Sequence, residues 1–281
     1  MMIIDAHTHI FPEEIRKNRE KYFSDEPAFK KLYQSFKSRL IGAQEMLAAM
    51  DENRLNAAVI FGFPWKNPRH YQRHNDYIRD VVDRFPDRFI GLGCFDPLSK
   101  GAEEEARRCL QKSGLSGIGE LAFYQSGIDN SALARLEPVM EICRERNLPV
   151  LIHTNEPIGH SYPGKTPNTL AQIYQLIQTY AQNKIVLAHW GGGLFFFSLL
   201  KKDIKQSLTH VYFDTAASPY LYDAEVYRVA IDRVGAGKIL FGSDFPLLPP
   251  TRYFDEMKAA GLSEEEMQLI CGGNAAKLFN F

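Results

Sequence analysis

The chain has 281 residues, 45% of them apolar and 24% charged, and its 33 Lys plus Arg against 34 Asp plus Glu give a formal net charge of −1. That balance leaves no basic stripe to track a phosphate backbone or an anionic membrane surface, so nucleic acid and membranes are not expected as partners. No apolar run approaches the ~20 residues of a membrane span, the start shows no signal-peptide pattern, and Cys94, Cys109, Cys143 and Cys271 form no CxxC pair, so a cytoplasmic chain without disulfides is expected.

Eight short β-branched or apolar runs follow one another with helical segments between them. The first, 3–6, leads into Asp5-Ala6-His7-Thr8-His9. After it comes a stretch over 11–41, rich in Lys, Arg, Phe and Tyr, that reads as an insertion carrying its own short helix over the mouth of the fold. Then the pattern becomes regular: helix 44–53, strand 57–61, helix 71–85, strand 89–94, helix 101–112, strand 117–121, helix 131–146 and strand 150–152. It continues with helix 166–180, strand 185–188, helix 194–204, strand 211–213, helix 224–233 and strand 239–242. Asn147-Leu148-Pro149 stops one helix just before its strand, and Ser263-Glu264-Glu265-Glu266 is a capping-box pattern that opens a last helix. Strand and helix alternating at about 25 to 35 residues is the βαβ pattern of a parallel sheet. Eight units predict one (β/α)₈ TIM barrel over 1–281, with an open doubly wound sheet as the alternative.

The chemistry-bearing residues fall at the strand ends. Alternate side chains of a strand share a face, so His7 and His9 present two imidazoles to one side and can chelate a divalent metal. Glu120 ends the fourth strand, His153 the fifth and His189 the sixth, and Asp244 follows the eighth. Strand ends are where such barrels place their working groups. Asp244 can both ligate a metal and accept a proton from metal-bound water. Glu120 can bridge a second metal or hydrogen-bond a ligand histidine. His189 is followed by Trp190 and three glycines, Gly191 to Gly193, which permit a close backbone approach to a ligand. Of the other histidines, His70, His74 and His210 read as packing or surface residues, while His160 lies in a loop over the mouth.

With these residues in view, the chain resembles the amidohydrolase superfamily and, within it, the amidohydrolase-related family that includes the aminocarboxymuconate-semialdehyde decarboxylase-like enzymes. The segments that carry the resemblance are 5–9, 117–120, 151–153, 188–193, 241–246 and 272–275. The resemblance implies a distorted barrel in which His7, His9, His153 and Asp244 bind zinc or a similar divalent ion, with manganese also admitted. It implies that His189 is a second-metal ligand or a general acid/base. Glu120 occupies the position where binuclear relatives carry a carboxylated lysine, so one ion is expected, and a second ion through Glu120 stays open.

The reaction expected first is hydrolysis of a small-molecule ester, lactone or amide by a metal-activated water, with Asp244 and His189 as catalytic groups. The alternative is nonoxidative decarboxylation of an aromatic or unsaturated carboxylic acid, disfavoured on this reading because Glu120 adds negative charge where a carboxylate would bind. A catalytically silent metal- or ligand-binding barrel is the third reading, disfavoured because every expected ligand and proton-transfer group is present. Candidate substrate contacts are Phe11, Trp65, Tyr124, His160, Tyr162 and Tyr220, with Trp190 beside the glycine turn. Exposed aromatic residues on the insertion would suit a homodimer.

Overall fold

The computed structural model describes residues 1–111, 114–200 and 202–281. Eight strands run in parallel: β1 (Ile4–His9), β2 (Ala57–Phe61), β3 (Phe89–Gly91), β4 (Ile118–Leu121), β5 (Val150–Ile152), β6 (Ile185–Leu187), β7 (Val211–Asp214) and β8 (Ile239–Leu240). They form a three-stranded sheet, β1-β2-β3, and a five-stranded sheet, β4-β5-β6-β7-β8. Two seams join them. At one, Gly93 bridges Ile118, with Gly119 N donating to Gly93 O at 2.8 Å. At the other, Ala6 N donates to Phe241 O at 2.7 Å and Asp244 N to His7 O at 2.9 Å. This is the (β/α)₈ barrel architecture expected from the alternation of strand and helix.

Alternation along the strands separates two cores. Ala57, Val59 and Phe61 join Ile4, Ala6, Leu92, Leu151, Val186 and Leu240 in one buried cluster, closed off by Ala275, Leu278 and Phe279. Ala58 and Ile60, on the opposite face of β2, pack instead with the outer helices. The helices are α1 (Glu13–Lys17), α2 (Pro27–Tyr33), α3 (Ala43–Glu52), α4 (Pro68–Arg84), α5 (Ala102–Gln111), α6 (Asn130–Glu145), α7 (Leu170–Thr179), α8 (Lys202–Ser207), α9 (Ser218–Leu221), α10 (Glu225–Val234), α11 (Pro250–Ala259), α12 (Glu264–Gln268) and α13 (Asn274–Phe279). None is long and apolar enough to cross a membrane. Ser263 opens α12 through the reciprocal cap foreseen, its hydroxyl accepting from Glu266 N while Glu266 Oε2 accepts from Ser263 N at 2.8 Å.

Two expectations are corrected. The helix expected over 194–204 is absent as one element. Its approach is left-handed at His189 (φ 54°), Trp190 (61°), Gly191 (61°), Gly192 (62°) and Gly193 (85°), and short turns follow before α8 begins. Three consecutive glycines make that path sterically open, and an α-helix cannot start until it ends. Residue 201 of that expected helix, like residue 112 at the end of the one expected over 101–112, lies outside the described residues. The second correction concerns the insertion. Its aromatics mostly point inward, with Phe29 fully buried, 4.4 Å from the Trp65 ring and 5.3 Å from Phe63, whereas Phe36 stays 95% exposed. The insertion is therefore a packed cap on the β2–α4 loop, because burying these rings stabilises it more than leaving them in water.

Candidate metal centre

β1 delivers His7 and His9 to the mouth with their rings 5.3 Å apart, each edge-on to Phe61. Thr8 turns away and donates to Val59 O at 2.7 Å. His7 Nδ1 donates to Asp214 Oδ2 at 2.8 Å and His9 Nδ1 lies 3.2 Å from Gly62 O, so both rings present Nε2 inward. His7 Nε2 stands 3.7 Å from Glu120 Oε2 and 3.8 Å from Asp244 Oδ1, and His9 Nε2 stands 3.7 and 3.4 Å from the same two oxygens. Four donors around one ion at ~2.1 Å each would lie about 3.4 Å apart, so these separations suit a shared divalent cation.

Three of the four side chains expected to share an ion, His7, His9 and Asp244, thus converge with Glu120. The fourth, His153, gives its Nδ1 proton to Glu120 Oε1 at 2.8 Å and joins Glu120 and His189 in an adjoining triplet. His189 Nε2 is 3.5 Å from Glu120 Oε1, while its Nδ1 is tied to Ala216 O at 2.9 Å. Within each of the triplets His7-His9-Glu120, His7-His189-Asp244 and Glu120-His153-His189, the donor atoms lie within 4.8 Å of one another. His7 Nε2 and His153 Nε2 are buried with no hydrogen-bond partner. A buried bare imidazole nitrogen beside carboxylate oxygens is the deficit that a divalent cation relieves, so the residues fit a metal.

The electrostatics agree. Burial opposes charge on His7, but the carboxylates of Asp214 and Glu120 outweigh it and push the imidazole up to about 10. Burial likewise opposes charge on His189, yet its hydrogen bond to Glu120 and the charge of Asp244 raise it to about 9. For Glu120 burial raises and the imidazoles of His153 and His7 lower, leaving it well below the usual carboxylate range. Asp244 is also held low, with His9, His7 and His189 overcoming its burial. Surroundings that bind protons this strongly favour a cation that replaces them.

The predicted substrate contacts divide. Tyr124 lies at the site, its ring 6.3 Å from His153. Trp65 does not face the mouth: it is fully buried, with Nε1 donating to His74 Nδ1 at 2.9 Å. Trp190 is also buried, bonded to Ser218 Oγ at 2.9 Å and edge-on to Tyr227. Both indoles spend their N–H on the protein interior, which fits a packing role. His160 is exposed on the β5–α7 loop, where its carbonyl accepts from Lys165 Nζ at 3.2 Å. Phe11 is buried against Phe29, and Tyr220 is 61% exposed beneath Arg252. Tyr162 donates to Glu156 Oε2 at 2.8 Å.

Two residues escaped the sequence reading. Asp214 ends β7 and accepts from His7 Nδ1, His189 N and Ala216 N, at 2.8, 2.8 and 3.0 Å. An acid closing an apolar strand was its signal, the same signal that singled out Glu120. Tyr33 of the insertion reaches the site from a segment with no periodic pattern to place it.

The chain was compared with known proteins. The sequence model of the Amidohydrolase family matches residues 4–281. The 2-amino-3-carboxymuconate-6-semialdehyde decarboxylase of Dictyostelium discoideum is 26% identical over 97% of this chain and 90% of its own length. The gamma-resorcylate decarboxylase of a Polaromonas species is 24% identical over 74% and 75%. A solved dihydroxybenzoic acid decarboxylase from Polaromonas, with bound manganese and the inhibitor 2-nitroresorcinol, shares the fold at a TM-score of 0.73 and 20% identity, over 99% of this chain and 97% of that one. These findings overturn hydrolysis as the expected reaction, since the curated relatives are decarboxylases. The argument from Glu120 fails for a physical reason: its Oε1 accepts from His153 Nδ1 and faces His189 Nε2, and its Oε2 lies among the Nε2 atoms of His7 and His9, so the carboxylate is already engaged by the site. By the extent of the match, and with the strand-end residues in place, this chain belongs to the amidohydrolase family.

Proposed function

We propose that the chain is a divalent-metal-dependent nonoxidative decarboxylase of an aromatic or unsaturated carboxylic acid. The observation that carries this reading is the cluster of four imidazoles around Glu120 and Asp244, in a chain whose curated relatives are decarboxylases. His7, His9, Glu120 and Asp244 would hold the ion, with the unpartnered Nε2 of His153 open to it, while His153 Nδ1 would fix the Glu120 carboxylate. Its mixed nitrogen and oxygen donors suit manganese or zinc. When bound, the ion supplies positive charge that orients the substrate oxygens and stabilises charge building in the conjugated system.

In the reaction the C–CO₂ bond breaks, its electron pair stays on the substrate carbon, carbon dioxide leaves, and that carbon takes up a proton. His189, which retains its proton beside the ionised Asp244, supplies the proton through this pair. The left-handed backbone at His189 and at Asp244 (φ 58°) aims both groups. Such conformations cost about 1–3 kcal/mol each and persist only where the surroundings impose them.

The test is incubation of the manganese- or zinc-loaded protein with a panel of hydroxybenzoate-type acids in deuterated water. One carbon dioxide per acid consumed and one deuterium on the product carbon are expected. Asp244→Asn should slow release at least about 100-fold. A panel that yields no carbon dioxide from any member removes the proposal.

A further inference from the structure

Beside the metal centre stands a second group of side chains to which neither the proton transfer nor the metal assigns a task. Tyr33 is the last residue of α2, and its ring packs 4.8 Å from Phe29, 5.4 Å from Phe11 and 6.0 Å from Phe63. The segment is pinned by Arg19, whose Nη1 donates to Ser38 O at 2.8 Å and to Tyr33 O at 3.3 Å. Tyr124 stacks on Phe63 at 6.3 Å with an interplanar angle of 17°, and its ring also lies 6.3 Å from His153. The carboxylates of Asp244 and Glu120 act on both phenols, and Tyr33 acts on Tyr124. Among the described residues neither hydroxyl meets a hydrogen-bond partner, and neither oxygen is sealed from solvent. Both side chains are half-buried, so a substrate oxygen that reached either hydroxyl would take the place of water.

We propose that the hydroxyls of Tyr33 and Tyr124 are an oxygen-recognition pair at the rim of the metal centre, donating hydrogen bonds to a hydroxyl or carbonyl substituent of the substrate. The chemical class follows from the donors. A phenol is protonated at neutral pH, so each offers an O–H and adds no negative charge beside Glu120 and Asp244. A neutral donor pair selects an oxygen-bearing acid over its unsubstituted analogue, because the analogue leaves two desolvated hydroxyls unpaired. Tyr33 comes from the insertion, so the insertion becomes a specificity element as well as a cap.

For its substrate class the inference rests on the decarboxylase reading, and the experiment separates the two. The full-length manganese-loaded protein and its Tyr33→Phe, Tyr124→Phe and double variants are titrated with 2-nitroresorcinol, followed by its visible absorption, and assayed with 2,6-dihydroxybenzoate. Each single variant is expected to weaken 2-nitroresorcinol binding about 5- to 10-fold and raise KM similarly. Manganese content, melting temperature and kcat should stay within twofold or a few degrees of the parent. Binding by both single variants within twofold of the parent, in a protein that releases carbon dioxide, overturns the pair and leaves the decarboxylase reading standing. Weakened binding in the variants of a protein that releases no carbon dioxide supports the pair and removes the proposed reaction. A parent that binds neither compound overturns the pair.

Discussion

Asp214 decides which nitrogen of His7 faces the mouth. By taking the Nδ1 proton at 2.8 Å it leaves Nε2 bare, and its other oxygen holds the backbone N–H of His189 at 2.8 Å. One carboxylate therefore orients two strand ends, as partners of ligand histidines commonly do. Asp214→Asn should lower metal affinity roughly 10- to 100-fold, read by competition with a chelator; unchanged affinity would show that His7 needs no such partner. His74 illustrates the opposite electrostatic case. It is fully buried between Trp65 Nε1 and Ile10 O, and burial holds it down to about 4 against an ordinary 6.5. The unfolded chain binds a proton there between these values and the folded chain does not, so stability is fully present above pH ~6.5 and falls as pH drops toward 4. The loss approaches roughly 3 kcal/mol and should appear as a falling denaturant midpoint over that window, with a shallower slope in His74→Asn.

Among the elements, the left-handed turn after β6 most clearly separates what a glycine permits from what a side chain would tolerate. A Cβ on Gly192 would lie 2.5 Å from the carbonyl oxygen of Asn155, at a φ of 62° that disfavours any side chain. Gly192→Ala should therefore cost about 2 kcal/mol or more, through backbone strain plus displacement of the β5–α7 loop. Gly237→Ala, with nothing within 4 Å and no positive φ, should be close to neutral. Denaturant midpoints of the pair check this, and equal midpoints would contradict the close approach. The regular helices were legible because apolar residues recur at helical spacing: Ile78 and Val81 of α4, and Leu136, Val139, Met140 and Cys143 of α6, are all buried. The 194–204 segment was not legible, because its apolar aromatics mimic a helix while Gly191–Gly193 direct the chain elsewhere.

At the scale of the molecule, the candidate ligands come from β1, β4 and the segment after β8, and these elements meet across the β8–β1 seam and over the sheet mouth. An ion bound there would add a cross-link to a seam that backbone hydrogen bonds and the hydrogen bonds from Ser243 to the Asp5 carboxylate also join. Manganese or zinc at 100 times its Kd should add about 2.7 kcal/mol to folding stability. Chelator treatment should then lower Tm by roughly 5–10 °C, restored by adding the ion back. A Tm indifferent to chelator and metal would remove the shared-ion reading of His7, His9, Glu120 and Asp244.

Sequence alone determined the architecture and pointed to most of the polar side chains that gather at the strand ends. Strand and helix periods are local properties of the chain, and His7, His9, Glu120, His153, His189 and Asp244 betrayed themselves as polar groups at the ends of apolar runs. Tertiary structure decided the rest, because these are relations between distant segments. It set Glu120 among the imidazoles, with His153 to hold it, brought Asp214 behind His7 and turned Trp65 and Trp190 into the core. It also carried Tyr33 from an aperiodic insertion to the candidate site, placed there by packing against Phe11, Phe29 and Phe63 and by the hydrogen bond from Arg19 to its carbonyl.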